Sequence, residues 1–161
     1  MKIVGLTGGI GSGKSVILNV FASLGVPCYL SDNQAKKLMQ EDEELVCKIK
    51  GIFGDDIYNG QQLNRSLLAE LVFSDKKKLE VLNTLVHPAV KKDFHLFLDQ
   101  QKAPYIIKEA AILFETGEAK ECDSIILVTA PDRLRIDRVM KREHTSEQQI
   151  KSIMSNQWSD N

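Results

Sequence analysis

Gly8-Gly9-Ile10-Gly11-Ser12-Gly13-Lys14-Ser15 follows the spacing G-x-x-x-x-G-K-S, and residues of these types can hold a chain of phosphates. A polyphosphate tail presents several negative charges and many acceptor oxygens. Small residues let the main chain turn tightly and aim successive N–H groups inward as an anion nest. The helix that follows adds unpaired N–H groups and the positive end of its dipole. Lys14 brings a full charge toward the β and γ phosphates, and Ser15 a hydroxyl suited to Mg²⁺. The candidate nucleotide-binding residues are therefore Gly8, Gly9, Gly11, Ser12, Gly13, Lys14, Ser15 and Val16. Side chains at Gly8 or Gly13 are expected to fill space that the phosphates need. The bland alternative is a glycine-rich turn that binds nothing. The Lys-Ser ending and the flanking segments argue against it.

Those flanks are the elements that must position the motif. Lys2-Ile3-Val4-Gly5-Leu6-Thr7 is a short apolar run that suits a buried parallel strand. After the loop, apolar residues at Val16, Ile17, Val20, Phe21 and Leu24 have the spacing of one helical face. Further strands are expected over 26–30, 104–109 and 124–129. Ser31 with Gln34 reads as a capping box that opens a helix through about Gln40. The acidic pairs Glu41-Asp42 and Glu43-Glu44 precede a helical stretch with Leu45, Val46, Ile49, Ile52 and Phe53, further helices open at a cap at Asn64 and at Ser74-Asp75, and turns fall at Gly54 and at Asn59-Gly60. Pro88 is expected to end or kink its helix near His87. Pro131-Asp132 opens a helix carrying Arg133, Arg135, Arg138, Lys141 and Arg142, and Thr145 precedes a last one. Strands that alternate with helices predict an α/β fold with a parallel sheet covered on both faces. A long helical insert, 31–100, interrupts that alternation and is the natural substrate-selecting part.

The 161 residues most simply form one domain. At 43% hydrophobic and 27% charged residues, the composition is that of an ordinary globular protein. A net charge of −1 gives no reason to expect nucleic-acid binding. No apolar run approaches the length of a membrane span, and the loop begins too early for a secretion signal, so no membrane partner and a cytoplasmic location are expected. Cys28, Cys47 and Cys122 are far apart and form no C-x-x-C pair, which fits reduced thiols rather than zinc or disulfides. The helix faces specify no assembly, so the oligomeric state is left open.

A phosphate loop alone means nucleotide and little more. The D-x-x-G and N-K-x-D of switch GTPases are missing, as is the L-S-G-G-Q of transporter cassettes. Beyond the loop, the chain resembles the dephospho-CoA kinase family over essentially its whole length. The run Leu6 to Ser15 matches the family's opening letter for letter. Asp32 with Ala35, His87-Pro88, Ala111-Ile112-Leu113-Phe114-Glu115, the Arg135-to-Arg142 stretch and Asn156-Gln157 then follow in the family's order. Departures are Leu30 where the family often has a second acid, Val16 for a common Thr, and Ala111 for a Pro.

The resemblance implies ATP-dependent phosphorylation of the ribose 3′-hydroxyl of dephospho-CoA, the last step of coenzyme A synthesis. It implies a nucleoside-monophosphate-kinase-like P-loop fold with three layers. The core would be 1–30, 101–130 and 146–161, the acceptor-binding insert 31–100 and a lid 131–145. It also implies that a further strand and terminal helices of the family are missing from these residues. Asp32, which by position alone is a dipole-favoured first-turn acid, would orient the acceptor hydroxyl, take its proton and reach Mg²⁺ with Ser15. Arg135, Arg138 and Arg142 share a helix face by spacing. They form either a solvated basic face, with Leu134, Ile136, Val139 and Met140 packed inward, or a set of lid arginines. The resemblance favours the latter, with Arg138 catalytic and Arg135 and Arg142 binding substrate. It makes His87 a substrate contact rather than a residue packed at a kink. Glu109 and Glu115 are each an acid near the metal or a surface charge. Another small-molecule kinase of the same layout, and an ATP-binding module without catalysis, are the competing readings.

Overall fold

A computed structural model describes residues 1–143, 145–155, 157 and 158, together with every side chain among them except that of Phe73. Asn156, half of the Asn-Gln pair noted above, and residues 159–161 lie outside the described residues. The chain divides into two compact units, Met1–Leu30 with Gln101–Asn161, and Ser31–Gln100.

The first unit is built on four strands, β1 (Lys2–Thr7), β2 (Cys28–Leu30), β5 (Tyr105–Glu109) and β6 (Ser124–Leu127), in the order β2-β5-β1-β6. All three pairings are parallel, with Leu6 opposite Glu109 and Ile126, and Leu30 opposite Glu109. Helices α1 (Lys14–Ser23), α6 (Asp132–Glu143) and α7 (Glu147–Ser155) complete the unit. Leu6 and Ile107, both 0% exposed, pack with Leu18, and Phe21, Val26, Cys28 and Leu30 close round them. The interior strands β1 and β5 bury their apolar residues. Among the described residues β6 pairs on one side only, and its Ile125 and Leu127 are exposed.

Helix α1 departs from its sequence pattern. The apolar face expected from Val16, Ile17, Val20, Phe21 and Leu24 is not the buried one. Val16 is 67% and Leu24 72% exposed, while Leu18 is the residue the helix buries. Leu18 and Phe21 pack into the cluster that holds Ile107.

The second unit holds α2 (Ser31–Glu41), α3 (Glu43–Phe53), the hairpin strands β3 (Tyr58–Asn59) and β4 (Gln62–Leu63), α4 (Arg65–Phe73) and α5 (Lys76–Asp99). Caps appear where side chains allow them. Asp42 accepts from the Leu45 N–H, Asn64 from Leu67 and Asp75 from Lys77. The capping box at Ser31 does not form. β2 runs straight into α2, so Ser31 is already helical, and its buried Oγ has no hydrogen-bond partner. Pro88 does not end its helix: α5 continues through it. The face buried by α5 is Leu82, Val86, Val90 and Phe94, while Thr84 and Pro88 sit on the exposed side, where water can serve the carbonyl that Pro88 cannot. The hairpin turns at Gly60, and Gln40 of α2 fixes it by accepting from the Leu63 N–H and donating to the Gln61 carbonyl.

Candidate functional site: a phosphate loop braced by a basic helix

The loop between β1 and α1 is shaped by where a Cβ cannot go. At Gly8, with φ +146, a Cβ would lie 2.1 Å from the Val128 carbonyl oxygen, so the chain after β6 by itself requires glycine there. At Gly13, with φ +114, the space is open except for Arg138 Nη1 at 3.9 Å. The positive φ at Gly13 is a backbone region that L side chains rarely adopt. Because Gly13 precedes α1, no side chain caps that helix, and the cap position is left open to an anion. Ser12 is buried, and its Oγ has no hydrogen-bond partner. Ser15 and Val16 are exposed on the first turn of α1.

Lys14 curls back over the loop. Its Nζ donates to the Gly8 carbonyl at 2.6 Å and lies 4.0 Å from Glu109 Oε1, with side chains only 12% and 13% exposed. The parallel register that sets Leu6 opposite Glu109 brings this carboxylate to the amine. Glu109, whose role the sequence left open, thus belongs to the loop. Glu115 turns elsewhere and accepts from the Trp158 N–H at 2.9 Å.

Helix α6 lies against the same loop. Arg138 is exposed and donates through Nη1 to the carbonyls of Gly11 and Ser12 at 3.3 and 3.2 Å. Arg135 is only 6% exposed; its Nε donates to the Ile10 carbonyl at 2.9 Å and its Nη1 lies 3.3 Å from Asp132. Arg142, one turn beyond Arg138, is exposed and pairs with Glu143. The helix therefore buries Arg135 and Val139 and leaves Leu134 and Met140 exposed, unlike the inward apolar face considered from the sequence. In the second unit Asp32 stands exposed in the first turn of α2, and His87 is exposed on α5.

Among the described residues no three His, Cys, Asp or Glu side chains gather as a metal cluster. Mg²⁺ keeps its waters and binds through few protein groups plus phosphate oxygens. The exposed Ser15 hydroxyl is the group on this loop that fits it.

An interior parallel strand, a glycine loop with an inward lysine and an uncapped helix define a P-loop α/β protein built to hold a polyphosphate. The family model for dephospho-CoA kinase matches residues 2–161. A dephospho-CoA kinase of Bacteroides fragilis is 37% identical over 158 residues, 98% of this chain and 77% of the relative. One of Mannheimia succiniciproducens is 39% identical, covering 96% and 73%. Among solved structures, TT1252 from Thermus thermophilus matches with a TM-score of 0.88 at 34% identity over 98% of this chain and 80% of that one. A dephospho-CoA kinase from Campylobacter jejuni matches at 0.67 and 25% identity, over 98% and 81%. The chain belongs to the dephospho-CoA kinase family.

Proposed function

We propose that this protein transfers the γ-phosphoryl group of ATP to the ribose 3′-hydroxyl of dephospho-CoA, giving coenzyme A and ADP. The reading rests on the family and on one local observation: Lys14 held at the Gly8 carbonyl beside Glu109, over a loop whose helix carries no cap. In the step, a bond forms between the 3′-oxygen and the γ-phosphorus. The bond from that phosphorus to the β–γ bridging oxygen breaks, and ADP leaves.

Gly8, Gly9, Gly11, Ser12, Gly13, Lys14, Ser15 and Val16 cradle the triphosphate, with Lys14 neutralising charge on the β and γ groups. Asp32 orients the acceptor hydroxyl and takes its proton. Arg138 is the arginine chosen for charge that develops on the transferred group, since its head is exposed and lies 3.9 Å from where a Gly13 Cβ would stand. His87 and Arg142 are assigned to substrate. Mg²⁺ would be held by Ser15 with help from Asp32 and would supply charge neutralisation at the phosphates. The segment 31–100 serves as the acceptor-binding part and 131–145 as the lid. A cytoplasmic location and small-molecule substrates without nucleic acid belong to the same reading, and the net charge of −1 agrees with the latter.

A coupled ADP-release assay tests this. ADP release should depend on dephospho-CoA. Equal release with nucleoside monophosphates or shikimate, or release that ignores the acceptor, would refute it.

A further inference from the structure

Ile10, in the middle of the phosphate loop, has both of its main-chain polar groups held by side chains distant in sequence. Its carbonyl accepts from Arg135 Nε at 2.9 Å, and its N–H donates to Gln157 Oε1 at 2.9 Å. The first comes from the first turn of α6 and the second from just past the end of α7. We propose that Arg135 and Gln157 are positioning residues that fix the phosphate loop through Ile10, so that Arg135 acts on the loop and not on substrate.

Three further observations carry this. Arg135 is buried on the loop: a Cβ at Gly9 would stand 1.8 Å from its Nη2, and one at Gly11 2.5 Å from its carbonyl oxygen. Gly9 and Gly11 are therefore small because α6 lies on them. Asp132 Oδ1, 3.3 Å from Nη1, orients the guanidinium from the preceding turn. Gln157 is placed by its own neighbours: its N–H donates to Met154, and the next residue, Trp158, is fixed by Glu115 and stacks on Phe114 at 6.4 Å.

The consequence is a division of labour. The Ile10 N–H points at Gln157 and is withdrawn from the anion nest, which leaves the loop's later N–H groups, with Lys14, to meet phosphate. With Ile10 held at both ends, the loop keeps one conformation before nucleotide arrives, so less ordering is needed on binding.

The functional part of this proposal rests on the nucleotide-binding reading above, and the test separates the two. Gln157→Leu removes the acceptor and keeps most of the bulk; Gln157→Glu retains an acceptor oxygen. Amide hydrogen exchange at Ile10, followed by NMR without ligand, should quicken in Gln157→Leu and recover in Gln157→Glu. Titration with ADP should weaken by roughly three- to tenfold in the first variant and recover in the second. The KM for ATP should rise by the same factor while kcat and the KM for dephospho-CoA hold. Arg135→Lys, which keeps the charge but loses the planar fork, should shift the ATP KM in the same direction. Unchanged Ile10 exchange in Gln157→Leu would overturn the contact. Quickened exchange with unaltered ADP affinity would overturn the positioning role, as would an equal rise in both KM values. If the wild-type protein phosphorylates no dephospho-CoA while ADP affinity still tracks the Gln157 variants, the proposed activity fails and the positioning role stands.

Discussion

Lys14 has one amine and two anchors, the Gly8 carbonyl and the Glu109 carboxylate, so the charge is already aimed into the loop. Replacing it with Met keeps much of the stem and deletes the charge. Lys14→Met should cut kcat by about 10²- to 10³-fold, the scale of losing one preorganised electrostatic contact; steady-state kinetics reads it directly. Asp32 differs because it stands exposed at a helix start in the other unit. Asp32→Asn should leave ADP affinity nearly intact and lower turnover by about 10²- to 10⁴-fold, the range for a general base. Turnover equal to wild type would remove Asp32 from the chemistry. The thiols separate by burial as well. Burial pushes the Cys28 thiol above its ordinary range, and does the same to Cys122 against a partial pull from Lys108. A raised thiol pKa means less thiolate at a given pH, and thiolate is the nucleophile. Iodoacetamide at mildly alkaline pH should therefore label the exposed Cys47 first, with Cys28 and Cys122 lagging, as peptide mapping by mass spectrometry would show.

Helix α5 shows what a single element does with a conflicting residue. Its buried stripe, Leu82, Val86, Val90 and Phe94, runs at four-residue steps past Pro88, and that packing carries the helix through. Pro88 leaves one carbonyl without its helical donor, on the wet side. Pro88→Ala should therefore raise stability by about 1–3 kcal/mol, less what the freer unfolded chain takes back, read as a higher urea midpoint. A lower midpoint would mean that the proline relieves some other constraint. The same contest decides which elements were legible in the sequence. The strands at β1 and β5 and the caps at Asn64 and Asp75 depend on local pattern, and they appear as expected. The buried face of α1 does not follow its apolar spacing, since Leu18 is buried while Val16 and Leu24 are exposed. The Ser31 cap does not form, because the preceding strand leaves no room for a non-helical residue. The short hairpin had a readable turn at Asn59-Gly60, but two-residue strands carry no period to detect. At the candidate site, the loop was legible by motif. The place of Glu109 depends on strand register, and that of Gln157 on α7 folding back, and neither is written in local spacing.

For the whole chain, the phosphate loop, α6 and the only tryptophan all belong to the unit formed by Met1–Leu30 and Gln101–Asn161. Trp158 stacks on Phe114 there, so its fluorescence reports the unfolding of the unit that carries the loop. A ligand that binds only the native state stabilises it in proportion to the logarithm of its concentration over Kd, about 2.7 kcal/mol at a hundredfold excess over Kd. For a protein of this size each kcal/mol moves the midpoint by roughly 2–4 °C, so ADP at that excess should raise the Trp158 transition by about 5–10 °C. In Lys14→Met the same ADP concentration should give a much smaller rise, because the amine aimed at the phosphates is gone while Leu6, Leu18 and Ile107 still pack the core. An equal rise in both proteins would mean that ADP is held somewhere other than over Lys14. The kinase reading would then lose its physical basis, whatever the family resemblance.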